Sequence, residues 1–137
     1  MRSYVSRCLL TLSLAGAVVF SHAQSLQELV RKPVVLRGTL GTEQIQLSLR
    51  PKKDEDGLEG SYFVFGQGAQ ILLAGEVDHD DLMMEESRNG KDVSGEWDGS
   101  FKNGVLGGTW STLDGTVSKA FVLNMGAVDS GQPIVKP

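Results

Sequence analysis

VSGEWDGSFKNGVLGGTW, residues 93–110, decides how the rest of the chain reads, because strand periodicity, turn chemistry and register agree within it. Asn103-Gly104 is the dipeptide best suited to the positive φ that a two-residue type I′ turn requires at both central positions. That turn sets Lys102 across from Val105, Phe101 from Leu106, Gly99 from Gly108 and Trp97 from Trp110. On the other face Asp98 meets Thr109 and Glu96 meets Ser111. One side is apolar and the other polar, the alternation of an antiparallel pair that packs on a core through one face.

The same period of two extends in both directions. Val34, Leu36, Gly38 and Leu40 alternate with Val35, Arg37 and Thr39; a turn at Gly41-Thr42 returns Ile45, Leu47 and Leu49 against them, with Leu36 facing Leu47. Residues 51–59, PKKDEDGLE, read as a charged loop. Strands follow at 60–65 and 70–77, and a Gln67-Gly68 turn between them pairs Tyr62 with Leu73 and Val64 with Ile71, which puts Phe63 opposite Leu72. A His79-Asp80 turn brings Val77 against Leu82 in a strand at 82–86. The second Asn-Gly, Asn89-Gly90, then pairs Met84 with Gly95 and Leu82 with Trp97. Asp114-Gly115 turns Trp110 towards a last strand at 116–125, where Val117, Phe121 and Leu123 continue the apolar face and Lys119 falls opposite Trp110.

Eight strands joined by tight turns, with one continuous apolar face, predict an all-β fold: an eight-stranded antiparallel up-and-down meander closed into a barrel. Closure keeps that face dry and leaves no open edge. Glycines recur two residues before larger inward side chains, in Gly38-x-Leu40, Gly60-x-Tyr62, Gly75-x-Val77, Gly95-x-Trp97 and Gly108-x-Trp110. A glycine inside a strand marks a sharply coiled backbone or a bulky neighbour packed over it. In these G-x-aromatic strands and their D-G and N-G turns the chain resembles small secreted bacterial proteins. In architecture it is similar to the avidin and lipocalin-like barrels, and the resemblance implies the same barrel.

Ahead of the barrel, Ser25 and Glu28 have capping-box spacing, and Leu26, Leu29 and Val30 share one face of a short helix that ends before Pro33. Residues 1–23 read as a secretory signal: Arg2 and Arg7, then the apolar run CLLTLSLAGAVVF, then Ser21-His22-Ala23 as a small-x-small cleavage site. Cys8 leaves with that leader, so no thiol remains in residues 24–137. The expected organisation is a leader at 1–23, a barrel domain with its helix at 24–125 and a loose tail at 126–137. The exported part carries 11 basic and 17 acidic residues, a net charge of −6, which argues against nucleic acid or an anionic membrane surface as a partner.

Few residues point to chemistry. No serine sits in a nucleophile elbow and no glycine loop precedes a helix, so neither acyl transfer nor phosphate binding is expected, and no catalytic residue is assigned. Asp78-His79-Asp80-Asp81 and Asp54-Glu55-Asp56 fall at one end of the meander but lack a recognised ligand spacing, so no metal or other cofactor is expected. Trp97, Trp110, Tyr62 and Phe121 face inward, as core or as the walls of a ligand pocket. Lys119 and Glu86 share that face near one end, either lining a pocket mouth or reaching back to water. Phe63, Phe65, Leu72 and Met83 point outward and form an apolar patch, which the N-terminal helix or a protein partner would cover. The expected role is an exported, non-catalytic binding module for a small apolar ligand in the barrel or a protein on its surface. Its alternatives are an inhibitor of a secreted enzyme and an antigenic or structural envelope protein.

Overall fold

At the tip of the second long hairpin, Asn103 and Gly104 hold φ of 53° and 80°, and this type I′ turn sets the register of everything beside it. A computed structural model describes residues 16–17 and 23–126. Most of the expected leader and the tail after Gly126 lie outside the described residues. The elements are α1 (Leu26–Leu29), β1 (Val34–Leu40), β2 (Glu43–Pro51), β3 (Leu58–Val64), β4 (Ile71–Asp78), β5 (Asp81–Ser87), β6 (Gly95–Lys102), β7 (Val105–Ser111) and β8 (Ser118–Met125). Each strand pairs with the next, and β1 pairs with β8, so the meander closes into an eight-stranded antiparallel barrel.

The β6–β7 register is the one the Asn-Gly turn dictates, with Trp97 opposite Trp110 and Phe101 opposite Leu106. The β1–β2, β4–β5 and β7–β8 registers also follow from their turns, as in Leu36 with Leu47, Val77 with Leu82 and Trp110 with Lys119. Two registers differ from expectation by two residues. Tyr62 pairs with Ile71, not Leu73, because the chain turns early: Gln67 N–H donates to the Val64 carbonyl at 2.9 Å, Gly66 takes φ of 85°, and residues 67–70 stay outside the ladder. Met84 pairs with Trp97, not Gly95, and Leu82 with Gly99. There Asn89 has no positive φ, and its Oδ1 instead accepts from the N–H groups of Lys91 and Asp92, which opens a wider loop than a type I′ turn. A slip of two keeps each side chain on its face, so the core is unchanged.

That core lines the barrel interior from Leu36, Ile45, Leu47, Tyr62, Leu82, Trp97, Leu106, Phe121 and Leu123, all essentially without exposed surface. Strand glycines make the crowding possible in two ways. A Cβ on Gly38 or Gly108 would collide with the backbone carbonyl of Val122 or Asp98 on the adjacent strand, so these positions permit the tight coil of a small barrel. A Cβ on Gly95 would meet Trp110 Nε1 at 2.5 Å, and one on Gly99 would meet Phe121 Cζ at 2.7 Å, so these positions are filled by rings.

The N-terminal helix does not cover the outer patch. It plugs the end of the barrel that carries the 79–80 and 103–104 turns, where Leu26 and Val30 join the core and Leu29 is half-buried. Ser25 Oγ caps α1 by accepting from Glu28 N–H at 3.3 Å. Leu26 N–H donates to Asp80 Oδ1 at 3.0 Å, and Gln27 N–H to the His79 carbonyl at 2.9 Å. Val117, expected inside, is 45% exposed: Asp114 Oδ1 gathers the Thr112 hydroxyl and the Thr116 N–H and hydroxyl, and this loop delays β8 to Ser118.

Candidate functional site

All six inward candidates lie on the inner face. Trp97 is central: its ring stands edge-on to Tyr62 at 5.1 Å between centroids and tilted against Phe121 at 4.9 Å. Glu86, on β5 directly opposite Gly95, is only 1% exposed and neither opens to a mouth nor reaches for water. Its Oε2 accepts from Tyr62 Oη at 2.6 Å and from Trp97 Nε1 at 3.2 Å, and its Oε1 accepts from Ser94 Oγ at 3.1 Å. Burial, with the hydrogen bond to Glu86 and its charge adding, holds the Tyr62 phenol far above its ordinary range. A buried carboxylate is tolerated when donors saturate it, and here three side chains do so. Ser94 belongs to this network although it stands in the loop before β6, where strand parity gives no signal.

Lys119 occupies the same end of the barrel but does not pair with Glu86. Its ammonium lies 5.4 Å from the Trp110 ring centroid, and its stem passes over Gly41. Trp110 fills the space over Gly95, and its Nε1 is buried without a hydrogen-bond partner. The arrangement holds the Glu86 carboxyl among rings inside the barrel.

The outward candidates are separated by the observed registers. Phe63 is half-buried opposite Gln46, with Phe65 edge-on to it at 5.3 Å. Leu72 faces Ser61 and Ser87, so it is not opposite Phe63. Met83 is 66% exposed between Glu76 on β4 and Asp98 on β6. Two grooves run along this outer wall. One of about 790 Å³ is lined by Arg50, Glu59, Ser61, Gln70 and Leu72, and one of about 570 Å³ by Glu76, Met83, Glu96, Asp98 and Thr109; Ala74, Glu85 and Lys52 border both. Glu85 stands directly opposite Glu96, and Asp78 opposite Asp81, pairings that like-charge repulsion disfavours. Among the described residues no ion pair involves Glu76, Glu85, Glu96 or Asp98.

In the acidic turn, Asp78 Oδ1 bonds His79 Nδ1 at 2.8 Å, and Asp80 is occupied with α1. No group of three or more His, Cys, Asp or Glu side chains among the described residues is arranged to hold a metal ion. No helix among them is long and apolar enough to cross a membrane. No protein-family description, curated protein or solved structure significantly matches this chain.

Proposed function

We propose that this protein is an exported, non-catalytic binding module that docks a protein partner on the outer wall of its barrel, over β4–β6. Met83 carries the reading: a large apolar side chain, two-thirds exposed, lies in a groove between Glu76 and Asp98, neither of which forms an ion pair among the described residues. An apolar anchor within uncompensated charge suits a partner whose own apolar contact is ringed by Lys or Arg, because complementary charge fixes register and speeds encounter. The like-charged pair Glu85 and Glu96 would be relieved by such a partner.

Carriage of a small apolar ligand is the weaker of the two readings, since Trp97 packs in ring contact with both Tyr62 and Phe121 across the interior. Export is supported by Arg2 and Arg7, the apolar run and the Ser21-His22-Ala23 motif. An inhibitor of a secreted enzyme is one form such a module takes. Kinship with small secreted bacterial barrels rests on the strand glycines and turns, and the likeness to avidin and lipocalin-like barrels is architectural.

A photo-crosslinking residue installed at Met83 or at Val122, which is exposed on β8 and lines neither groove, tests the proposal in the native host. The reading expects a discrete protein adduct from position 83 and none from position 122. Absence of an adduct at 83, or equal adducts at both, overturns it.

A further inference from the structure

We infer that the mature chain carries a closed N-terminus: after cleavage behind Ala23, the α-amine of Gln24 cyclises onto its own side chain to form pyroglutamate. The inference rests on the exported reading above, because only that cleavage exposes the amine.

Gln24 is exposed, and the hydrogen bonds that fix this segment begin one residue later. Ser25 Oγ, Leu26 N–H and Gln27 N–H are each engaged, whereas no hydrogen bond among the described residues involves Gln24. The Gln24 carboxamide is therefore free to fold back onto its own backbone nitrogen while the next residue is held as a helix cap. With an α-amino pKa of about 8, a nucleophilic neutral fraction exists near neutral pH. The amine nitrogen attacks the side-chain Cδ, so the N–Cδ bond forms and the Cδ–Nε2 bond breaks. One amine proton leaves with the amide nitrogen as ammonia, and no oxidant, reductant or cofactor is required.

The product is a neutral lactam without a primary amine, and its position gives it a role. Leu26, which has no exposed surface, lies two residues from the new terminus and seals the barrel end. Trimming by an aminopeptidase would remove Gln24, then the Ser25 cap and then this plug. A lactam lacks the free amine such enzymes require, and the modification also removes a terminal charge beside α1.

The test is intact-mass analysis of the protein secreted from the full-length gene. The expected mass is that of residues 24–137 less one ammonia. The chain should resist amine-directed terminal labelling until pyroglutamyl aminopeptidase has acted. A Gln24→Ala variant should label directly and lose its first residue to an aminopeptidase that leaves the wild type intact. A chain beginning at Gln24 with a free amine overturns the inference and leaves the exported reading standing. A chain that begins at another residue after loss of the leader overturns the inference alone, and one that retains its leader overturns both.

Discussion

Replacing Glu86 with leucine removes the acceptor that three donors share inside the barrel. Tyr62 Oη and Trp97 Nε1 lose their bonds and have no other partner, whereas Ser94 Oγ lies 3.5 Å from the Glu86 main-chain carbonyl and keeps that acceptor. Each buried donor left unsatisfied costs about 1–3 kcal/mol, so the pair costs about 2–6 kcal/mol. Relief of carboxylate desolvation offsets part of this, and a net loss of about 2–4 kcal/mol is expected. That is a large share of the roughly 5–15 kcal/mol that holds a domain together. Glu86→Gln should be mild, about 1 kcal/mol or less, because its carbonyl can accept from Tyr62 and Trp97 while its NH2 donates to Ser94 Oγ. Urea unfolding followed by tryptophan fluorescence at neutral pH, with equal m values, measures both variants. A leucine variant within about 0.5 kcal/mol of wild type would refute the structural importance of this network.

Gly95→Ala should destabilise by about 1–3 kcal/mol, since its Cβ would lie 2.5 Å from the Trp110 indole nitrogen, and calorimetry of the variant gives the answer. Gly107→Ala is the control: its Cβ would meet nothing nearer than 3.7 Å, and it should be neutral or stabilising by about 0.4–1 kcal/mol. Leu26→Ala should cost about 2–5 kcal/mol in the same assay, and no loss would show that α1 does not plug the barrel. The N–H of Thr116 and the hydroxyls of Thr112 and Thr116 lower the Asp114 pKa to about 2 from an ordinary 3.8. This loop therefore contributes stability that is present above pH about 4 and lost as pH falls through about 2. A carboxyl titration followed by NMR should place Asp114 near that value in the wild type and part of the way back towards the ordinary one once both threonines are replaced by alanine, because the residue 116 N–H still donates to it.

Much of the barrel was legible because turn chemistry and alternation act locally. Asn103-Gly104 occupies positive φ at both residues, and the Trp97–Trp110 pairing follows directly. Asn89-Gly90 is the same dipeptide with a different outcome, because the Asn89 side chain found backbone donors at Lys91 and Asp92 in a wider loop. Dipeptide identity does not distinguish these two uses. The helix declared an apolar face, but its destination depended on Asp80, 54 residues from the Leu26 N–H it accepts. For Glu86, parity indicated the inner face, but its saturation depended on the reach of Tyr62, Trp97 and Ser94 across the lumen. The outer patch was legible as outward and misread as continuous, since a slip of two residues moved Leu72 from Phe63 to Ser61.

If the barrel binds a protein through its outer wall and not a small molecule in its interior, native mass spectrometry of the protein isolated from its own cells should show a barrel with the mass of its polypeptide alone, in a complex with a protein partner that Met83→Glu releases. A small-molecule adduct that survives in the native barrel and departs only on unfolding would contradict this reading.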